Sequence, residues 1–327
     1  MSRRRLSPLL SLLLLPASAL PYSFVTFGDW GTGSALQKSN AAAINAHCAA
    51  AGACELILSL GDQFYNGPNT SWDRRWTTEF TDMYNFSAPV YAAQGNHDYS
   101  GLIAAQLGFR NDTRWRSAFT NYTLSVPEAD LSIVVFDSPR ACPSYMSAPY
   151  GDCTELCMLQ LAELGCTNAT EHAGAPHCFL DHVRWLNETL AGLTTRWKLV
   201  AAHHPIDQEN VKFVVPALAA HGVQAMLAGH IHNMQHQEGA DGVHYFISGA
   251  GAFASALAEG VDAVRASDDT HRPRPLTCPE GLACHPLQQR FFSDGPGFLS
   301  VTIDGDAANA TFFHQNGTAL YTVQMNA

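Results

Sequence analysis

The chain has 327 residues, of which 46% are hydrophobic and 14% charged, with a formal net charge of −11 at pH 7. This composition describes a globular protein with a sizeable core. An acidic chain without basic runs is a poor ligand for polyanions, so nucleic acid is not an expected partner.

Residues 1–19 read as a secretory signal peptide. Arg3, Arg4 and Arg5 precede a Leu-rich core from Leu9 to Leu15, and Ala17-Ser18-Ala19 suits cleavage. Pro16 ends the apolar run far short of the roughly 20 residues that span a bilayer. No later segment is long and apolar enough to span, so no membrane association is expected. Residues 20–327 then form a single domain, expected to be monomeric, whose short β-rich runs alternate with helical patterns. The runs are 22–27, 55–60, 89–94, 131–137, 198–202, 223–228 and 243–248. Between them, 34–50 and 72–85 are readable as helices. Residues 178–193 are clearer, because Leu180, Val183, Leu186, Leu190 and Leu193 repeat at helical spacing. After Gly295 two terminal strands flank an Asn316-Gly317 turn.

Two segments break the alternation. Residues 138–178 hold Cys142, Cys153, Cys157, Cys166 and Cys178 and read as a Cys-rich insertion. Residues 260–297, rich in Pro, Arg and Asp, read as a long loop. Cys48 with Cys54, and Cys278 with Cys284, are close enough for local disulfides. N-x-S/T acceptors at Asn69, Asn85, Asn111, Asn121, Asn168, Asn187, Asn309 and Asn316 join the nine cysteines in pointing to a secreted or lysosome/vacuole-like glycoprotein.

Five runs end in polar residues set beside glycine or proline: Gly28-Asp29-Trp30-Gly31, Gly61-Asp62-Gln63-Phe64-Tyr65, Gly95-Asn96-His97-Asp98, His203-His204-Pro205 and Gly229-His230-Ile231-His232. The carboxyl ends of strands in α/β sheets are where sites are built. Singly, an Asp after Gly reads as a turn or cap, and a lone His as a core residue. The pair His230 and His232 is stronger, since i and i+2 side chains of an extended segment share a face. Carboxylate, amide oxygen and imidazole suit iron, zinc or manganese. Two such ions form a clamp for phosphoryl transfer.

These motifs, GDWG, GDQFY, GNHD, AHHP and GHIH, resemble the purple acid phosphatases, a family of calcineurin-like metallophosphoesterases, and most of all its small, tartrate-resistant type. The resemblance implies an α/β (α+β) four-layer sandwich, two mixed β-sheets flanked by helices. It implies an Fe(III) site of Asp29, Asp62, Tyr65 and His232, and a divalent site (Fe, Zn or Mn) of Asp62, Asn96, His203 and His230, with Asp62 bridging. It further implies a secreted acid phosphatase that hydrolyses small phosphomonoesters to inorganic phosphate by in-line attack of a metal-bound hydroxide. His97 would orient the ester or protonate the leaving group, with Asp98 behind it. Asn96, His97 and His204 are the substrate contacts expected, with Glu209 and Lys212 further possibilities. The family's second substrate-facing histidine, shortly after the His203 position, has no counterpart here.

Tyr65 decides the metal. Most relatives of the wider superfamily carry Asp-x-His in the first motif, whereas this chain reads Asp29-Trp30-Gly31. Tyr65 would fill the vacancy as a phenolate, and a phenol with a pKa of about 10 gives up its proton only to a strong Lewis acid such as iron(III). Two rival readings stand beside this one: a zinc- or manganese-dependent phosphodiesterase or nucleotide hydrolase, and a binding glycoprotein without catalysis.

Overall fold

Apolar runs that bury both faces become the inner strands of two sheets. The computed structural model describes residues 20–50, 53–65, 67–117, 119–141, 177–206, 214–254 and 287–327. The expected signal peptide, residues 142–176 of the Cys-rich insertion, Cys278, Cys284, Asn168, Glu209 and Lys212 lie outside them.

The strands are β1 (Tyr22–Phe27), β2 (Leu56–Ser59), β3 (Val90–Ala92), β4 (Tyr122–Val126), β5 (Leu131–Val135), β6 (Trp197–Ala201) and β7 (Ala225–Ala228). They continue as β8 (Met234–Glu238), β9 (His244–Ser248), β10 (Gln288–Ser293), β11 (Gly297–Asp304), β12 (Ala307–His314) and β13 (Ala319–Asn326). Among the described residues these make two mixed sheets, in the orders β13-β12-β11-β1-β2-β3 and β10-β8-β9-β7-β6-β5-β4. Parallel strands are β1, β2 and β3, which run to one edge of the first sheet, and β5, β6, β7 and β9 in the middle of the other.

Alternating side chains divide the layers. Phe24, Leu58, Ile133, Leu199 and Leu227 face a core shared by the two sheets. Their neighbours Val25 and Ile57 face outward against Ile44 of helix α1 (Ala35–Cys48) and against Trp76 and Phe80. Val134, Val200 and Met226 face outward on the other sheet. There they meet Leu186 and Leu190 of a helix at His177–Ala191 and Leu218 of a helix at Val215–Ala220. Helix, sheet, sheet and helix are the four layers expected.

Local chemistry sets the edges of these elements. Ser34 caps α1 by accepting the Gln37 N–H at 3.2 Å, and the Cys48–Cys54 disulfide joins the end of α1 to the approach to β2. The helix expected over 72–85 is only a π-helical turn at Trp76–Thr81. Its aromatics are claimed by tertiary packing, with Trp76 stacked on Phe109 at 3.8 Å and Trp115 edge-on at 5.1 Å. Residues 288–293 of the expected long loop are strand, paired with β8. The terminal hairpin turns at Gly317, whose φ of +82° suits glycine. Of the expected glycosylation acceptors, Asn69, Asn85, Asn111, Asn187, Asn309 and Asn316 are exposed. Asn121 is half-buried and its Oδ1 accepts the Asp137 N–H at 2.6 Å.

Candidate metal centre

The parallel strands of both sheets end at one place, and backbone bonds across the sheets hold them there. Gly28 N–H donates to Ser248 C=O at 2.7 Å, and Gly251 N–H to Gly28 C=O at 3.1 Å. All the residues expected to bind metal converge on this junction. Among the described residues, positive φ outside glycine occurs at Asp29 (59°), Asp62 (52°), His230 (67°) and Asp130 (48°). Three of these four are expected ligands, and such conformations cost about 1–3 kcal/mol each and cluster at functional sites. Neighbouring glycines make the approach possible. A Cβ on Gly95 would strike the Asp62 carboxylate, and one on Gly61, whose φ is +96°, would strike the His203 ring.

Asp29 and Asp62 are fully buried at the centre. Asp29 Oδ2 accepts the His230 N–H at 2.8 Å, while Oδ1 lies 3.5 Å from both Tyr65 OH and His232 Nε2. The Tyr65 hydroxyl is 3.0 Å from His232 Nε2. Asp62 Oδ1 accepts the His97 N–H at 2.9 Å and sits 3.5 Å from His203 Nε2. Asn96 Oδ1 is 3.0 Å from His203 Nε2 and 3.1 Å from His230 Nδ1. His203 Nδ1 lies 2.7 Å from the Leu60 carbonyl, which can only accept. That proton therefore sits on Nδ1 and leaves Nε2 as the lone pair facing the site.

The segment carrying His230 and His232 is bent, not extended, and the two rings part. His230 turns to Asn96 and His232 to Tyr65. His97 is half-buried at the edge of the cluster, its ring 4.4 Å from that of Tyr65. His204 is fully buried, its ring centre 4.4 Å from that of His230, and its Nδ1 lies 2.9 Å from Ser138 Oγ.

Asp98 is a clasp. Its Oδ2 accepts N–H groups from Asp62 (2.8 Å) and Gly95 (2.7 Å). Its Oδ1 accepts from Gln63 (3.0 Å), Phe64 (3.3 Å) and the Gln106 amide (2.9 Å). Burial pushes this carboxyl up to about 7, against donors that favour the anion. The loop after β2 and the loop after β3 are thus tied to one carboxylate.

The donor set fits hard to borderline cations: carboxylate, amide oxygen, imidazole and phenol, with no thiol. Burial pushes the Asp29 carboxyl up, with His232 pulling it down, and burial holds His203 and His230 well below the ordinary histidine range. Buried carboxylates beside neutral imidazoles want a compensating cation. Tyr65 says the same. Burial, and then Asp29, Asp62 and Asp98, push its phenol well up, so only a strong positive charge would release its proton. Among the described residues, two groups bring one ligand atom per residue within 4.8 Å of one another: Asp29, Asp62 and His203, and His203, His204 and His230.

Three contributors escaped the sequence reading. Phe253 stacks on His232 at 3.9 Å and 10°, and meets Tyr65 edge-on at 5.1 Å. Asp137 accepts the Tyr99 hydroxyl at 2.6 Å and so ties the end of β5 to the loop after Asp98. Ser138 holds His204. Asp137 carried the same signal as Asp29, an acid at a strand end, whereas Phe253 and Ser138 carried none.

This fold and site define a metallophosphoesterase. The chain belongs to the calcineurin-like phosphoesterase family, whose model matches residues 22–234 and so spans every motif above. It is similar to tartrate-resistant acid phosphatase type 5 of Rattus norvegicus, 32% identical over 272 residues, which are 76% of this chain and 77% of that protein. The Homo sapiens protein of the same name is 31% identical over 273 residues, 75% of this chain and 78% of that one. Purple acid phosphatase 3 of Arabidopsis thaliana is 25% identical over 321 residues, 91% and 76%. Among solved structures, GAP50 of Plasmodium, "the anchor in the inner membrane complex", superposes with a TM-score of 0.64 at 17% identity, covering 94% of this chain and 89% of that one. Purple acid phosphatase PPD1 from yellow lupin seeds gives 0.55 at 14% identity, covering 94% and 54%. Both show a shared fold.

Proposed function

We propose that the protein is an acid phosphatase of the secretory pathway that hydrolyses small phosphomonoesters at a site for iron(III) and a divalent ion. Asp29, Asp62, Tyr65 and His232 would hold the ferric ion, and Asp62, Asn96, His203 and His230 the divalent one. The observation that carries this reading is the parting of the imidazoles around two buried carboxylates. His232 keeps company with the phenol on one side, while His203 and His230 share the Asn96 oxygen on the other. When bound, such a pair of ions supplies Lewis-acid polarisation of the ester and an activated water.

The protein's own residues do the rest. His97 is held by its N–H on Asp62, and its half-exposed ring gives a proton to the departing ester oxygen. Asp98 fixes both flanking loops, so that Asp62 and Asn96 keep their spacing. Supporting the activity are relatives named acid phosphatases, aligned over three quarters of the chain. Supporting the compartment are the Cys48–Cys54 disulfide and the exposed glycosylation acceptors.

The test is metal analysis, a visible spectrum, and turnover of p-nitrophenyl phosphate against bis(p-nitrophenyl) phosphate. One iron and one divalent ion per chain, a broad visible band lost in Tyr65→Phe, and preference for the monoester are expected. A colourless protein that prefers the diester would overturn the reading.

A further inference from the structure

On the outer face of the first sheet, a groove runs between α1 and the terminal hairpin of β12 and β13. Ala42, Ala46 and His47 of α1 face Phe313, Gln315 and Asn316 of the hairpin around about 470 Å³. That is the scale of small-molecule clefts, roughly 300–1,000 Å³. The alanines leave the groove open where longer side chains would fill it. Phe313 is half-exposed there, stacked on the buried Phe298 with ring centres 5.3 Å apart and planes at 14°. Gln315 Oε1 is shielded from water, yet accepts no hydrogen bond among the described residues. An aromatic ring beside an unused acceptor suits a ligand ring that is apolar on one face and polar at its edge.

Asn316 lines this groove, is exposed, and begins the acceptor tripeptide Asn316-Gly317-Thr318. Its Oδ1 accepts the Thr318 N–H at 2.9 Å, which leaves Nδ2, the atom that glycosylation uses, without a partner among the described residues. At Asn121, by contrast, Oδ1 accepts the Asp137 N–H and Nδ2 lies 2.7 Å from His182 Nδ1, so both ends of the amide are engaged. The loop around Asn316 is pinned. Gln315 N–H donates to Pro296 C=O at 3.0 Å, and Gly317 N–H to His314 C=O at 2.8 Å. A group carried on Nδ2 therefore starts from a fixed point at the groove and loses less freedom on entering it.

We propose that Asn316 is N-glycosylated and that its first N-acetylglucosamine ring seats in this groove against Phe313. This rests on the secretory-pathway reading above. Nδ2 loses a proton and bonds the anomeric carbon of a lipid-linked diphospho-oligosaccharide. The bond from that carbon to the diphosphate oxygen breaks, and the diphosphate leaves with the electron pair. One face of the β-linked ring carries only C–H bonds, which suit the electron-rich face of an aromatic side chain. Its acetamido N–H and its hydroxyls are donors for Gln315 Oε1. The seated sugar ties the terminal hairpin to α1 and covers an aromatic ring that the polypeptide leaves half-exposed.

The test uses the full chain secreted from a eukaryotic host, with glycopeptide mass spectrometry to read occupancy at each acceptor. Melting temperatures are then compared for wild type, Thr318→Ala, Phe313→Leu and the double variant. Thr318→Ala removes the glycan but keeps Asn316 and the backbone N–H that its Oδ1 accepts. We expect an occupied Asn316 and a melting temperature lowered by roughly 1–4 °C in Thr318→Ala. The same change should do nothing further in the Phe313→Leu background, and trimming every glycan to its first ring should leave the wild type unchanged. Glycans at other acceptors with Asn316 bare would overturn the inference and leave the secretory route standing. A chain with no glycan at all would overturn both. An equal loss from Thr318→Ala in both backgrounds would overturn the seating on Phe313. Should Phe313→Leu fold poorly, nuclear Overhauser contacts between the first sugar and the Phe313 ring in the wild type decide the matter, and their absence would overturn the seating.

Discussion

Two clusters of histidines join the two sheets, and they behave differently. At the carboxyl ends of the strands, His203 is anchored outward on Leu60 C=O and His204 on Ser138. His230 and His232 turn a nitrogen toward Asn96 and Tyr65. Toward the other end of β9, His236 bonds His244 through Nε2 at 3.0 Å and the Tyr321 hydroxyl through Nδ1 at 3.0 Å, while stacking on Phe246 at 4.6 Å. The second cluster satisfies itself with side chains. In the first, His203 spends one nitrogen on Leu60 C=O and sets the other 3.5 Å from Asp62, while His232 sets a nitrogen 3.5 Å from Asp29. Burial of a histidine is therefore a poor sign of function, and the destination of its second nitrogen is a good one.

The sharpest way to break this contrast is to remove the shared carboxylate. Asp62→Asn keeps the shape but deletes a charge at the centre. Turnover should fall by at least roughly 10³-fold, with both metals lost on dialysis, because the amide cannot bridge two cations. Metal content and phosphate release measure this, and retention of both ions would refute the bridging role. Asp98→Asn should act one step further out. Either orientation of the new amide sets its NH2 against at least two donors, Asp62 and Gly95 N–H in one case or Gln63 N–H, Phe64 N–H and the Gln106 amide in the other. Two stranded donors alone cost about 2–6 kcal/mol, visible as a lower melting temperature, and metal retention should drop roughly 10–100-fold. Phe253→Leu should be milder. Losing the stack on His232 removes about 0.5–1.5 kcal/mol, so iron affinity should fall by less than about tenfold in a metal-competition assay while the divalent ion stays.

Much of this contrast was legible beforehand, for physical reasons. Inner strands are apolar on both faces, so runs such as LSIVV announce themselves. The ligands sit where strands end, beside glycines whose missing Cβ permits the close approach. What stayed hidden was held by partners distant in sequence. Strand β8 reads Met-Gln-His-Gln-Glu and looks like loop, yet Gln235 and Gln237 are buried through bonds to Asn233, Gln289 and each other, and His236 through bonds to His244 and Tyr321. The π-helical turn follows from aromatic packing that no local pattern encodes. The His230/His232 pair was expected to share a face of an extended segment, but positive φ at His230 sends the rings to opposite sides of the carboxylates.

The smallest expected effect concerns the self-satisfied cluster. Burial pushes His236 down to about 4, with the neighbouring His244 acting in the same sense, Glu238 opposing and Arg290 adding to it; burial lowers His244 as well. The Tyr321 hydroxyl faces the same ring from the other sheet. The sign follows from proton uptake. Between about pH 6.5 and 4 the unfolded chain binds a proton at this position that the folded protein refuses, so stability rises with pH across that window. The contribution is fully present above about 6.5 and is lost as pH falls toward 4. In melting curves taken from pH 7 to pH 4, His236→Gln should therefore show a shallower fall than the wild type, because glutamine binds no proton. Its turnover and metal content at pH 6 should stay within about twofold of wild type, since its bonds end on His244 and Tyr321 and not on the carboxylates. A variant that lost its metals would mean the two clusters are coupled through β8 and β9, and the distinction between them would have to be redrawn.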